Sequence, residues 1–260
     1  MKLKRNFKKK PIYSSILIIV IITSITSLYL IQIESQKRTE NIKIMTWNIH
    51  KGKGIDNEYN LDRIIRVIND NNPNIIGLQE VEEDLVVKIA EELNMEYFFG
   101  SDLDDEEGNA ILSKYPIEEA ENLYLSPDDE RSLIKAEIII KSEKWNVFIT
   151  HLSLRNREDN LIQIDYILSN VLKGYTRRIV LMGDFNFGPD SEQYKKITNN
   201  EELKLRDTYS YLNEDSGLTF RTNFLFRRID YIFGSSDLKP IISEVIYSQA
   251  SDHCAVSTTF

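Results

Sequence analysis

The sequence predicts an α/β protein in which two mixed β-sheets pack together and helices cover their outer faces. Short apolar runs rich in Ile, Val and Leu, typical of buried strands, recur along the chain. Helical patterns separate several of these runs, as in α/β proteins. The runs 133–140 and 145–152 are joined by a short Lys/Ser/Glu turn and predict a hairpin, which excludes a purely parallel sheet.

The length, composition and cysteine count of the chain restrict the possible folds and sites further. Its 260 residues, 42% hydrophobic and 28% charged, predict one globular domain with a sizeable core. The single cysteine, Cys254, excludes an intrachain disulfide and a cysteine-based zinc site. We expect Cys254 to be a small buried hydrophobe in a C-terminal strand.

The N-terminal segment differs in composition from the rest. Residues 1–11 form a basic flank, residues 12–33 carry no charge, and residues 34–41 are a polar linker before a domain over 42–260. A helix of 22 residues spans roughly 33 Å, enough for a bilayer core. A cleaved signal peptide is the alternative, but it usually has a shorter apolar region and a small-residue cleavage site. We predict an uncleaved, single-pass transmembrane signal anchor in the cell membrane, with the domain extracytoplasmic because basic flanks stay inside.

The first half of the domain alternates strands and helices. A strand over 42–48 precedes a helix over 61–71, whose apolar residues at 61, 64, 65 and 68 form one stripe. Pro73 ends this helix. The remaining elements are a strand over 75–80, a helix over 84–93, and short strands over 95–99 and 109–113. The acidic stretch 102–107 is predicted as a solvated loop, because a calcium site needs more regular ligand spacing.

The second half begins with the predicted hairpin. A helix over 159–172 follows it and ends at Gly174, and Ser191 is the expected N-cap of a helix over 192–197. The remaining strands are predicted over 178–184, 229–233, 241–247 and 255–260.

Six polar clusters lie at the ends of apolar, β-rich runs. They are the residues at 47–48, 79–80, 150–152, 183–186, 228–231 and 251–253. In two packed sheets such strand ends gather at one rim, so the clusters are predicted to form a single site.

Carboxylates at strand ends point to a cation and a water. Glu80 directly follows a buried run and needs a partner, either a divalent metal or a structural salt bridge. Asn48 ends the preceding strand and is expected beside it. After the turn at Gly183, Asp184 could orient or deprotonate a water, and Asn186 could bind a phosphoryl oxygen. Ordinary turn-forming roles are the alternative for this pair.

The chain has three histidines, and two of them end apolar strands. A carboxylate that orients an imidazole supports general acid–base catalysis, and Asp230 and Asp252 lie in clusters that could supply one for His253. His151 is a second candidate. His50 lies just past the first strand and is a candidate substrate-binding residue at the rim; purely structural roles are the alternative for each histidine.

The series W-N, Q-E, G-N-A-I-L-S-K-Y-P, T-H-L, G-D-F-N, R-I-D-Y-I and S-D-H resembles the endonuclease/exonuclease/phosphatase superfamily. The resemblance covers residues 42–260, which it identifies as a catalytic domain. It implies a four-layer α/β sandwich with one or two Mg²⁺ or Mn²⁺ ions. Small bacterial members and the hydrolase domain of a protein that remodels glycosylphosphatidylinositol-anchor lipids are the most similar branches.

The resemblance also assigns roles to individual residues. Asn48 and Glu80 match metal-binding positions, and Asp252 lies near the metal. Asp184 and Asn186 match the pair that aligns the water and holds the phosphate.

His253 matches the catalytic histidine, with Asp230 orienting it, and His151 matches the second histidine of the deoxyribonuclease and sphingomyelinase branches. Asn109 and Arg131 are candidate phosphate contacts, although Arg131 also fits an ordinary surface arginine.

These features predict a membrane-anchored, metal-dependent phosphoesterase, a phosphodiesterase or phosphatase acting on a lipid-linked or small phosphate ester. A secreted or tethered nuclease is the alternative, and a catalytically inactive binding module is the alternative of another class. Loss of Glu80, Asp184 or His253 would favour the inactive module, and all three are present. Six positive charges lie in residues 1–10, so the total of −9 leaves −15 for the rest, which disfavours duplex nucleic acid as a partner. The protein is expected to be a monomer.

Overall fold

The computed structural model of the protein describes residues 41–102, 106–126, 129–221, 224 and 226–260, together with residues 21, 23, 24, 26 and 27. The chain divides into two units, Met1–Asn41 and Ile42–Phe260. The predicted anchor over 12–33 and linker over 34–41 lie almost entirely outside the described residues. Within the described part of the chain, no helix is both long and apolar enough to cross a bilayer.

The described residues of the second unit form two six-stranded sheets. The first sheet has the order β11-β12-β1-β2-β4-β3, and only β1 and β2 are parallel neighbours within it. Its strands are β1 (Lys43–Asn48), β2 (Ile75–Glu82), β3 (Glu96–Ser101), β4 (Glu107–Ser113), β11 (Ile242–Ile246) and β12 (Ala255–Thr259).

The second sheet has the order β5-β6-β7-β8-β10-β9, and only β7 and β8 are parallel neighbours. Its strands are β5 (Ile117–Ser126), β6 (Asp129–Ile140), β7 (Glu143–His151), β8 (Ile179–Asp184), β9 (Leu205–Asp207) and β10 (Asp230–Ser235).

Helices cover the outer faces of both sheets. The helices are α1 (Leu61–Asn71), α2 (Glu83–Leu93), α3 (Arg157–Tyr166), α4 (Glu192–Thr198) and α5 (Thr208–Leu212), and a π-helical segment, Ile167–Val171, continues α3. Helix α1 shows how local sequence sets the two ends of a helix. The Asn60 side chain caps its first turn, and Asn72 ends it in the left-handed conformation just before Pro73.

Three apolar clusters hold the layers together. One joins the inner faces of the two sheets through residues such as Ile44, Val147 and Val180. A second packs α1 and α2 on the first sheet, and a third packs α3 and its π-helical extension on the second. The order is therefore helix, sheet, sheet, helix, and the predicted fold class of the domain is confirmed. Each fully buried Ile or Val contributes about 1.5–3 kcal/mol relative to an exposed side chain.

Some sequence expectations need correction. The second sheet includes β5 and β9, which the sequence did not indicate, because exposed acidic residues interrupt the apolar pattern of β5. The solvated loop expected over 102–107 is wrong at Asp102, which is buried, and residues 103–105 lie outside the described part. Cys254 is buried as predicted, but it lies just before β12 and not within a strand, whereas Ser191 caps α4 as predicted.

Arg228, a member of one of the six clusters, belongs to the scaffold. Its guanidinium binds both oxygens of Asp207 at 2.7 and 2.6 Å, and both residues are almost fully buried. It also lies over the rings of Tyr209 and Tyr231. Replacing one partner of such a pair leaves an uncompensated buried charge.

We therefore expect Asp207→Asn to lower the free energy of unfolding by about 3–5 kcal/mol, measured by denaturant titration. The matched control is Asp165→Asn, because Asp165 pairs with Lys196 on the surface. The control should cost less than about 1 kcal/mol. Equal, small costs for both variants would show that the buried pair does not support the fold.

Candidate active site

The strand ends bring the predicted residues together at one rim. In the second sheet Asp184 is the register partner of His151 on one side and of Asp230 on the other. Asn48, at the end of β1 in the first sheet, donates from Nδ2 to Asp184 Oδ2 at 3.2 Å and to Glu80 Oε1 at 2.9 Å. The site therefore spans both sheets, and Asn48 joins their two halves.

Two backbone features make this arrangement possible. Gly183 has φ 145°, and a Cβ there would lie 1.8 Å from the carbonyl oxygen of Thr150, so only glycine allows β7 and β8 to pair here. Glu80 has φ 49° at a bulge between Gln79 and Val81. A left-handed residue of this type is strained by about 1–3 kcal/mol, a feature found frequently at functional sites.

His253 and Asp230 form a buried dyad. The imidazole donates from Nδ1 to both carboxylate oxygens of Asp230, at 3.1 and 3.0 Å. Thr219 donates to Asp230 Oδ2 at 2.5 Å, and the Phe220 ring lies 4.7 Å from the imidazole. The ring is therefore fixed, with His253 Nε2 3.7 Å from Asp184 Oδ2.

His151 also lies near this oxygen, with its Nε2 3.6 Å from Asp184 Oδ2. Its Nδ1 lies 3.1 Å from Arg131 Nη1. A guanidinium can only donate, so Nδ1 must accept and the ring proton must be on Nε2. Burial, the charge of Arg131 and the charge of His253 hold the pKa of His151 well below its ordinary value, so the ring is neutral.

Asp184 and His253 each shift the pKa of the other. Burial and the neighbouring Asp230 carboxylate raise the pKa of Asp184 to about 7, against the opposing effects of His253 and the Asn48 hydrogen bond. Burial lowers the pKa of His253, but Asp230 and Asp184 outweigh it and raise the pKa to about 10. At neutral pH the imidazole therefore carries a proton, and Asp184 lies near its own midpoint.

Asn186 lies beside Asp184, as predicted. Its backbone N–H donates to Asp184 Oδ1 at 3.0 Å, and its side chain donates to the Leu152 carbonyl at 2.9 Å. Arg227 donates to the Asn186 carbonyl at 3.3 Å. These contacts fix the amide of Asn186 at the rim of the site.

Arg131 and Asn109 complete one wall. Arg131 binds Asp102 at 3.0 Å and also contacts His151. Asp102 therefore holds the positively charged guanidinium of Arg131 next to the site. Asn109 donates to the Ser132 carbonyl at 3.2 Å, and its buried Oδ1 has no hydrogen-bond partner among the described residues. Arg131 is thus part of the site wall rather than an ordinary surface arginine.

His50 and Asp252 are neighbours of each other in the structure. His50 begins the short 3₁₀ turn His50–Gly52 after β1, and its Nδ1 is 3.8 Å from Asp252 Oδ1. Its backbone N–H donates to Asn48 Oδ1 at 3.1 Å. The two side chains help line a separate cleft of about 180 Å³ together with Arg221. Among the described contacts, the Asp252 side chain lies next to His50, whereas the Asn48 side chain donates a hydrogen bond to Glu80.

The donor set fits a hard divalent cation. The carboxylates of Asp184 and Asp230 lie against the His253 imidazole, and Asn48 links Asp184 to the half-buried carboxylate of Glu80, so carboxylates outnumber cationic groups here and favour a bound cation. Carboxylate and amide oxygens, such as those of Glu80 and Asn48, are ligands that Mg²⁺ and Mn²⁺ prefer. Ligand atoms of Asp184, Asp230 and His253 also lie within 4.8 Å of one another. However, His253 carries a proton on each ring nitrogen at neutral pH and has no lone pair to offer a metal, so Glu80 and Asn48 are the better candidates.

Sequence reasoning missed Thr219, which supports the His253–Asp230 dyad, and Asp102, which supports His151 through Arg131. Thr219 bonds Asp230 across 11 positions, and Asp102 reaches Arg131 across 29 positions. Neither residue belongs to a polar cluster at the end of an apolar run, so no local signal identified them. Only the folded arrangement shows their contacts.

Comparison with known proteins identifies the family of the chain. Residues 45–253 match the Endonuclease/Exonuclease/phosphatase family, and the chain belongs to that family. Members of the family are hydrolases that act on phosphate esters.

Individual relatives are distant. The Escherichia coli (strain K12) Uncharacterized protein YbhP is 24% identical over 250 residues, covering 85% of this chain and 97% of YbhP. An endonuclease/exonuclease/phosphatase from Beutenbergia cavernae is 23% identical with a TM-score of 0.74, covering 85% of this chain and 71% of its own. The Bacteroides thetaiotaomicron mannosyl-6-phosphatase Bt3783 is 18% identical with a TM-score of 0.71, covering 84% and 99%. These structural similarities establish the shared fold.

Proposed function

We propose that the protein is a divalent-metal-dependent phosphoesterase, anchored in the cell membrane, that hydrolyses a lipid-linked or small phosphate ester outside the cytoplasm. One observation carries the catalytic part of this proposal. Asp184 Oδ2 lies between the Nε2 atoms of His151 and His253, at 3.6 and 3.7 Å, and accepts from Asn48 at 3.2 Å. A carboxylate held between two imidazoles suits proton transfer to and from a phosphoryl centre.

Each residue has a role in the proposed mechanism. Asp184 takes a proton from the attacking water. His253 carries a proton at neutral pH, so it is not the base; it donates that proton from Nε2 to the leaving oxygen, which balances the proton that Asp184 takes from the water. His151 is neutral, so it does not supply the proton of the leaving group; its Nε2–H donates a hydrogen bond to a phosphoryl oxygen. Asn186 and Arg131 hold phosphoryl oxygens, a role for which a rigid amide and a guanidinium are suited.

Glu80 and Asn48 would hold the metal, with Asp252 as a further ligand implied by the resemblance. A bound Mg²⁺ or Mn²⁺ supplies polarisation of a phosphoryl oxygen and stabilises the developing charge. The negative charge of the three carboxylates at the site, together with the amide oxygen of Asn48, would favour the binding of such an ion.

The pKa values of Asp184 and His253 predict a bell-shaped pH profile for kcat/KM. Asp184 must be ionised to accept a proton, so activity falls as the pH drops below about 7. His253 must be protonated to donate, so activity falls as the pH rises through about 10.

The variant Asp230→Asn tests the cause of both limbs. The Asp230 carboxylate raises the pKa of Asp184 and of His253, so its removal should shift both limbs to lower pH. The measurement is kcat/KM from pH 5 to about 11 for the wild type and the variant. A profile with a lower maximum kcat/KM but unchanged pKa values for both limbs would reject this electrostatic role of Asp230.

The substrate class rests on charge. Outside residues 1–10 the chain carries −15, so affinity for duplex DNA should be weak at physiological salt. A bilayer anchor would raise the effective concentration of lipid-linked substrate. These points favour a lipid-linked or small ester over the nuclease, and the assembled acid–base site argues against an inactive binding module.

The test compares specificity constants of the full-length protein in detergent with Mg²⁺ or Mn²⁺. Its substrates are phospholipid vesicles, inositol phosphates, simple aryl phosphodiesters and plasmid DNA. We expect one of the lipid or small esters to be preferred. Efficient nicking of plasmid without turnover of the other substrates would favour the nuclease.

The membrane topology has its own test. Protease added to intact cells should digest the domain over 42–260, because the basic flank is expected to stay inside. Protection until lysis would reverse the orientation. Release of a shortened protein into the medium would identify a cleaved signal peptide instead.

A further inference from the structure

Two phenylalanine rings lie exposed beside the candidate active site. Phe224 is 76% exposed and Phe226 is 54% exposed. Their ring centroids are 6.5 Å apart, and the Phe226 ring packs on the half-buried ring of Phe220 at 5.8 Å. Phe220 in turn contacts the His253 imidazole at 4.7 Å. This aromatic patch, Phe220, Phe224 and Phe226, therefore runs from the buried dyad out to solvent, and a contiguous exposed apolar patch is typical of an interaction surface.

Another exposed apolar side chain lies on the same rim. Leu154, three residues after His151, is 62% exposed and lines a cleft together with Arg227. Arg227 follows Phe226 in the chain and donates to the Asn186 carbonyl, so this cleft borders the site. The rim thus exposes an aliphatic side chain as well as aromatic ones. A nucleobase stacks on aromatic rings alone, whereas the hydrocarbon of a bilayer accepts both kinds of side chain.

Two arginines flank the aromatic patch in the chain. Arg221 is exposed, with its guanidinium 5.9 Å from the Phe220 ring, and Arg227 lies on the other side of the patch. Among the residues that the structure describes, neither guanidinium forms an ion pair with a carboxylate, whereas that of Arg157 does. The chain outside residues 1–10 carries −15, so these two cations are a local exception. Cations beside apolar rings are complementary to a membrane surface, where anionic headgroups cover hydrocarbon.

We infer that this rim docks on the surface of a lipid bilayer that contains anionic phospholipid, with Phe224 and Phe226 inserted beneath the headgroups and Arg221 among their phosphates. This inference rests on the proposed function, whose lipid-linked substrate it places in the bilayer itself. Insertion removes the exposed rings from water, and the arginines gain anionic partners that the described residues do not supply. A phosphate ester in the headgroup layer then lies next to the site without leaving the membrane.

A fluorescence experiment tests the docking without any turnover. The full-length variant Phe224→Trp is reconstituted in vesicles of phosphatidylcholine and phosphatidylserine whose acyl chains are brominated near the headgroup, because bromine quenches a tryptophan that inserts. The native tryptophans, Trp47 and Trp145, are buried, so the wild type gives the baseline. We expect strong quenching of the added tryptophan, and weaker quenching in vesicles of phosphatidylcholine alone, where the arginines lose their anionic partners.

The matched control is Ile242→Trp. Ile242 is about half exposed and pairs with Thr259, which pairs with Lys43 at the end of β1 opposite Asn48. A tryptophan there should not be quenched. Quenching of Phe224→Trp that is no stronger than that of the control, or that is equal with and without phosphatidylserine, would overturn the inference. Quenching by a single-stranded oligonucleotide instead of by brominated lipid would assign the rings to base stacking and would overturn it as well.

The double variant Phe224→Ser with Phe226→Ser tests the consequence for activity. We expect kcat/KM for a long-chain lipid ester in anionic vesicles to fall at least about tenfold, because two apolar side chains no longer enter the bilayer. A soluble short-chain analogue of the same ester should change less than about twofold. The control, Ile241→Ser with Ile242→Ser, removes two similarly exposed side chains from the opposite end and should affect neither ester. Equal losses on both esters in the phenylalanine variant would show that the patch acts on the site itself and not through the membrane.

The two measurements separate the inference from the proposed function. If brominated lipid quenches Phe224→Trp but the wild type hydrolyses no ester, the proposed function fails and the docking surface stands. If the wild type hydrolyses both esters but brominated lipid does not quench Phe224→Trp, the docking surface alone fails.

Discussion

Replacing His253 by alanine is expected to reduce kcat/KM at neutral pH by at least about 10²-fold, the usual scale for a general acid–base group. The imidazole donates to Asp230 through Nδ1 and lies 3.7 Å from Asp184 through Nε2, so its removal breaks the link between the two carboxylates. It also removes the positive charge that lowers the pKa of Asp184 and so opposes the effect of burial on that pKa. Steady-state kinetics on the best ester found in the substrate comparison provide the measurement.

Two comparisons control this experiment. His151→Ala should also cost at least about 10²-fold, whereas Asp230→Asn should cost less, because the imidazole itself remains. Circular dichroism and thermal unfolding of each variant separate catalytic loss from misfolding. Near-normal rates for both histidine variants in folded protein would defeat the mechanism, whatever the family.

The second large effect concerns the metal. Glu80→Gln is expected to reduce turnover on the order of 10³-fold at limiting Mg²⁺, because charge stabilisation by a bound cation is worth several kcal/mol. Glu80 binds Asn48 at the junction of the two sheets, and an amide at position 80 would be a weaker ligand. Excess Mn²⁺ should restore part of the activity.

The matched control is Glu82→Gln, the same change two residues further along β2. It should leave both the rate and the metal dependence unchanged. Full activity of Glu80→Gln at limiting metal, or an equal loss in Glu82→Gln, would remove Glu80 from the metal site.

Much of the fold and site could be predicted from local patterns. Asn48, Glu80, Asp184 and His253 each stand at the end of an apolar run, and the structure brings them to one rim. The pattern works because buried strands need apolar side chains, whereas the strand ends tolerate polar ones. Gly183 carried a similar signal, since the turn that it allows is visible in the sequence.

Other features depend on contacts between distant segments. The tautomer of His151 is set by Arg131, which in turn is anchored by Asp102, 29 positions away. The same limit applies to Arg228, whose cluster suggested the site but whose partner is the buried Asp207. A single sequence contains no record of which distant residues will meet, so these roles needed the structure.

The central claim is that a divalent cation and the Asp184–histidine centre together hydrolyse a phosphate ester. The most direct test follows hydrolysis of phosphate esters by the full-length protein after removal of metal with a chelator, then during titration with Mg²⁺ or Mn²⁺. We predict negligible turnover without metal, saturable recovery on titration, and no recovery in Asp184→Asn at any metal concentration. Undiminished hydrolysis after chelation, or metal-restored hydrolysis of equal rate in Asp184→Asn, would contradict the account.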